Sequence, residues 1–189
     1  MRAYVIGFMG SDRKKAAEEF AAKYGCGNGE AAPQGEGRLQ SEDFPQDKDT
    51  PQREISTQSE GSLEIIDLAS YIEKEDGRSL LRLCMMMGEH ELHNKEYEAL
   101  KKLQERDDFV LICTDGVILD EMNVDIIKKG IVILADAPLE ELWENAKKDR
   151  TLPYAFLQDP DETRKFAKFK ELYNAREKVY KELGSAYSL

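Results

Sequence analysis

The chain has no apolar run near the ~20 residues that a membrane-spanning helix needs, and only three cysteines, an odd number without CxxC spacing. Those shortages speak against a helical membrane anchor and against a disulfide framework or thiolate metal site. Cys84 and Cys113 lie in apolar runs, the usual setting of a buried reduced thiol. Basic residues are scarce too: 27 stand against 38 acidic ones, for a net charge of −11 and a pI near 4.8. Phosphate backbones would be repelled, which excludes an electrostatically driven nucleic-acid partner. The opening MRAYVIGFMG has one arginine and a short apolar stretch that meets a glycine turn without a cleavage pattern. It does not read as a secretory leader, and the expected compartment is the cytoplasm.

What is present is a regular return of apolar runs. At 189 residues and 41% hydrophobic content, the chain is expected to form one domain, 1–189, with a sizeable core. Ala3–Phe8 reads as a buried strand ending at glycines, and Ser11 or Asp12 can cap the helix that follows. Leu63–Ile66 reads as a second strand. Helical periodicity covers Asp67–Lys74 and Leu80–Leu103, with breaks at Gly77 and Gly88. Phe109–Cys113 and Ile131–Ala135 are strongly apolar strands, and Pro138 suits the start of a helix. A long charged helix spans Thr163–Leu183, with Phe166, Phe169, Leu172, Tyr173, Val179, Tyr180 and Leu183 as its buried stripe. Short apolar strands alternating with helices imply an α/β fold, a parallel sheet covered on both faces. Between about residues 27 and 62 the composition turns to Gly, Pro, Gln, Ser and acids. Such a stretch buries too little surface to offset its ordering entropy, so it is expected to be a flexible insertion.

The first turn, Gly7–Lys15 (GFMGSDRKK), sits between a strand and a helix, where backbone N–H groups and a helix N-terminus converge on a phosphate. It half meets the phosphate-loop pattern: Gly7 fits the first glycine, while Asp12, Arg13 and Lys14 replace the second glycine, the lysine and the hydroxyl. The wording GFMG resembles the shikimate kinase family, and further segments resemble it in order. They are IIDLASYIEKEDGRSL (65–80), MGEHELHNKEYEAL (87–100), LICTDGV (111–117), GIVILADAPLEELWENAKKDRTLP (130–153) and LYNAREKVYKELGSA (172–186).

The resemblance implies a three-layer P-loop kinase-like fold with four full parallel strands and a truncated fifth beginning at Ala186. It implies Mg-ATP as cofactor if the protein is active, and a small anionic ligand. Nucleotide contacts would come from Gly7, Gly10, Ser11, Arg13, Lys14 and Lys15. Magnesium would lie beside Asp67, which with Arg13 forms the implied catalytic pair. Substrate contacts would come from His93, Gly116 and Arg176. Several family positions are altered. Ala69 stands at the candidate base, His93 at a carboxylate-binding arginine, Asp115 and Val117 at glycines, Asn145 at the adenine-stacking arginine, and Leu152 at the lid arginine. Asp12 adds a carboxylate where polyphosphate would lie. The expected function is therefore a non-catalytic or very weak binding or regulatory relic, the alternative being a divergent but active ATP-dependent small-molecule kinase.

Other groupings have plainer readings beside functional ones. His90 and His93, three apart beside Glu89 and Glu96, are either metal ligands on one helix face or part of a solvated face. Asp115 and Asp67 are either a carboxylate pair that holds a cation or two exposed loop acids. Met85–Met87 is expected to fill core space.

Overall fold

The computed structural model describes residues 1–25 and 63–185. The insertion expected at 27–62 and the fifth strand expected from Ala186 lie outside them.

Four strands form one sheet: β1 (Arg2–Ile6), β2 (Glu64–Asp67), β3 (Phe109–Ile112) and β4 (Ile131–Leu134). Their order is β2-β3-β1-β4 and every pairing is parallel. β1 and β3 occupy the centre, and the apolar β4 lies at an edge of the described sheet. Alternation along β1 divides the core. Ala3 and Val5 face one way, with Val110, onto Ala17 and Phe20 of α1 (Arg13–Tyr24). Tyr4 and Ile6 face the other way, into a much larger apolar cluster.

That larger layer is built from α2 (Leu68–Asp76), α3 (Leu80–Met87), α4 (Glu89–Leu103), α5 (Glu121–Ile127), α6 (Leu139–Ala146) and α7 (Glu162–Ser185). Local chemistry sets their ends. The Asp67 carboxylate caps α2 by accepting from the Ala69 and Ser70 amides at 2.9 and 3.2 Å, and Asp120 does the same for α5 from Met122 at 2.8 Å. Gly77 ends α2 at φ 81°, a left-handed geometry that costs glycine little. Among the described residues no helix is long and apolar enough to cross a membrane.

Three expectations about burial fail. Met85, Met86 and Met87 are 74%, 59% and 53% exposed. Consecutive helical residues lie about 100° apart, so three in a row cannot share one core face, and Leu80 and Leu83 already provide the buried side of α3. Val179 is 37% exposed, because the inner stripe of α7 runs through Phe169, Arg176, Tyr180 and Leu183 and places an arginine where only apolar residues were expected. Cys84 is half-buried while Cys113 is buried.

Candidate functional site

Parallel strands bring their C-terminal ends to one edge, and in open α/β sheets that edge is where ligands bind. Here the edge carries the Gly7–Asp12 turn after β1, Asp67 at the end of β2, and Cys113–Gly116 after β3.

The turn is tightly enclosed by the chain itself. A Cβ on Gly10, which sits at φ +87°, would lie 2.0 Å from the Leu142 carbonyl oxygen, and the Asn145 side chain donates to the Gly10 carbonyl at 3.0 Å. Phe8 anchors the turn to α7 by edge-to-face contacts with Phe169 and Tyr173, centroids 5.2 and 5.4 Å apart. Asp12, not Ser11, is the cap of α1: its carboxylate accepts from the Lys15 amide at 3.0 Å. The Ser11 hydroxyl oxygen is buried without a hydrogen-bond partner. The Arg13 guanidinium donates to the carbonyls of Cys113, at 3.0 Å, and Gly7, at 3.5 Å, tying together the ends of neighbouring strands β3 and β1. Lys14 and Lys15 lie exposed along α1 and face Glu18 and Glu19, each at 3.9 Å.

Beside the turn is a cavity of about 160 Å³ whose wall includes Arg13, Asp67, Ala69, His93, Gly116 and Arg176. Five of the expected site residues therefore meet at one place, while Gly7, Gly10, Ser11, Lys14 and Lys15 do not line it. The segment between α6 and α7 covers it through Leu152, Pro153 and Tyr154. The His93 Nδ1 lies 2.8 Å from a carboxylate oxygen of Glu96, which is fully buried and also accepts from the Thr114 hydroxyl. That hydrogen bond raises the His93 pKa above its ordinary value, against the opposing effect of burial. A Cβ on Gly116 would sit 3.2 Å from the His93 ring, so glycine there lets the imidazole approach. Burial pushes the Cys84 and Cys113 thiols upward, away from thiolate reactivity.

The far wall is a buried polar cluster. The Arg176 Nη1 donates to the Asp115 carboxylate at 3.3 Å and to the Tyr154 hydroxyl oxygen at 2.8 Å. The Tyr154 hydroxyl in turn donates to the same Asp115 carboxylate, and the Tyr180 hydroxyl donates to the Asp115 carbonyl. Burial, then the Asp115 charge, hold both phenols well above their ordinary pKa, so they stay protonated donors. Asp115 is only 3% exposed, so it is not an exposed loop acid. Among the described residues no three His, Cys, Asp or Glu side chains gather as metal ligands; His90 is exposed and His93 is paired with Glu96. Tyr154, Tyr180 and Thr114 were not anticipated as parts of the site. The available signal was the i,i+4 spacing of Arg176 and Tyr180, which puts both on one face of α7.

A family model described as shikimate kinase matches residues 54–188. The bifunctional shikimate kinase/3-dehydroquinate synthase of Thermotoga maritima is 39% identical over 82 residues, which is 43% of this chain but 17% of that protein. The shikimate kinase of Aromatoleum aromaticum is 27% identical over 122 residues, 64% of this chain and 67% of that one. Among solved structures, the Acinetobacter baumannii shikimate kinase in complex with shikimate superposes with a TM-score of 0.67 at 19% identity, covering 96% of this chain and 79% of that one. The Aquifex aeolicus shikimate kinase gives 0.63 at 21% identity over 96% and 83%. Those structures establish the P-loop kinase fold, and the family model, matching well over half of the residues, establishes that the chain belongs to the shikimate kinase family.

Proposed function

We propose that this chain uses the shikimate kinase scaffold for binding or regulation and has lost phosphoryl transfer. The observation that carries the reading is that the groups meant to meet a nucleotide's phosphates already have partners within the chain. The Asp12 carboxylate caps the N-terminus of α1 through the Lys15 amide, and the Arg13 Nη1 is turned to two backbone carbonyls. Phosphoryl transfer depends on positioning and on electrostatic stabilisation of the transferred group. An anion arriving at the turn would meet a carboxylate first, and Lys14 offers no hydroxyl for magnesium. These residues do not fit Mg-ATP. On the substrate side Ala69 lines the cavity where an acceptor hydroxyl would need a base.

The test is a coupled ADP-release assay with Mg-ATP, in the presence and absence of shikimate, the ligand named for the Acinetobacter relative. The expected result is no shikimate-dependent turnover above background. Changing Asp12→Gly, Arg13→Lys and Lys14→Ser together should restore nucleotide binding, measured by calorimetry, without restoring transfer. Robust turnover by the unaltered chain would establish instead a divergent kinase acting through Arg13 and Asp67, which share the cavity wall.

A further inference from the structure

A second cavity, of about 230 Å³, is formed by α2 and α4 and shares no lining residue with the first. Ile72 and Ala99 give it a buried apolar floor, and the half-buried Tyr71 stands beside them. The rest of its lining is charged, with both signs present. Most of those charges already have close partners. Nε and Nη2 of Arg78 donate as a fork to the Asp76 carboxylate, and the Lys102 ammonium donates to Glu75. Lys95 and Glu98 are the exception. The Lys95 Nζ lies 3.8 Å from Asp76 and 4.0 Å from Glu98, both beyond hydrogen-bond distance. The Lys95 side chain is 32% exposed, so its ammonium has given up part of its water without gaining a direct acceptor among the described residues.

A cation beside an anion, neither hydrogen-bonded, suits a ligand that carries both charges itself. A free α-amino acid bears its ammonium and its carboxylate on one carbon, so the carboxylate can reach Lys95 while the ammonium reaches Glu98. The four charges then alternate in sign, and each has opposite neighbours. A simple anion would meet Glu75, Asp76 and Glu98 as well as the lysines, and a simple cation would meet Lys95 and Lys102. We infer that the cavity between α2 and α4 binds a small zwitterion, a free α-amino acid with an apolar side chain, through Lys95 and Glu98. The side chain lies on the floor of Ile72 and Ala99. Both charged groups keep contact with water, so the expected dissociation constant is about 1 mM. The same two helices carry Ala69 and His93 to the first cavity. The inference does not rest on loss of transfer, since its readouts use neither nucleotide nor shikimate.

The experiment is a melting-temperature titration of the full chain with L-leucine at pH 7. At about 10 mM, L-leucine should raise the melting temperature by roughly 3–6 °C. L-Leucinamide lacks the carboxylate and N-acetyl-L-leucine lacks the ammonium, so at the same concentration each should raise it by less than about 1 °C. Lys95→Met and Glu98→Gln, made separately, should each weaken L-leucine binding by about tenfold and leave a rise near 1 °C. No rise with L-leucine on the unaltered chain would overturn the inference. So would an equal rise with either analogue, or a full rise in either variant. Both substituted side chains are partly solvated and lack hydrogen bonds, so both variants should fold. Should one fail, the other variant and the two analogues decide.

Discussion

The turn beside the cavity and the cavity's far wall hold their carboxylates in different ways. At the turn, Asp12 is exposed and caps a helix, so water shares its charge and its hydrogen bond is one local contact. At the far wall, Asp115 is buried among Arg176 and Tyr180 of α7 and Tyr154 of the segment before it. The same functional group thus supports a helix end in one place and a tertiary joint in the other. Burial makes the difference: a desolvated charge depends wholly on its partners, while a solvated one can lose them cheaply.

Mutation can test that contrast, and the largest effect belongs to the buried wall. Arg176→Ala leaves the Asp115 carboxylate in a dry site without a counter-charge and should cost about 3–5 kcal/mol in urea unfolding. Asp115→Asn with Arg176→Met should recover much of that loss, because it removes both charges together. A small cost for Arg176→Ala alone would mean that the wall is wetter than its burial implies. At the exposed turn, Asp12→Ala removes a helix cap and should cost about 1 kcal/mol by the same measurement. A cost equal to that of Arg176→Ala would erase the distinction between the two places.

The His93–Glu96 contact lies between these extremes and is read through pH. The folded protein raises the His93 pKa above the unfolded value of 6.5, so folding favours the protonated ring. Its stabilisation is full below 6.5 and is lost as pH rises through the higher folded value. The difference in melting temperature between the natural chain and His93→Gln should therefore shrink as pH rises from 6 through 8. A difference that grew over that range would refute the pairing. The smallest effect is expected for Lys14→Ala, whose exposed partner Glu18 lies 3.9 Å away: below about 0.5 kcal/mol.

Much of the fold was legible because it follows from local periodicity. The runs around Val5 and Leu111 are apolar at successive positions, which suits only strands covered on both faces, and they proved central. Gly77 and Gly88 marked helix ends because both sit at positive φ. Misreadings arose where composition stood in for geometry. The methionine run is apolar, yet successive helical side chains diverge and α3 covers only one side of itself. Val179 belongs to the apolar set of α7, but the helical phase turned Arg176 inward in its stead.

Of the site, the residue types at the sheet's C-terminal edge could be named in advance, since strand–turn–helix order places them there whatever surrounds them. The sequence alone also determined the apolar character of the strands and the capping role open to Asp12, because each depends on neighbours a few residues away. Only the tertiary structure decided what those side chains do. Arg13 lies 100 positions from Cys113, and Arg176 lies 61 from Asp115. Whether such groups face a ligand or one another depends on packing across the whole sheet. Asp115 reads in sequence as one more acid in a chain rich in acids, and only burial against Arg176 and Tyr154 makes it a tertiary joint.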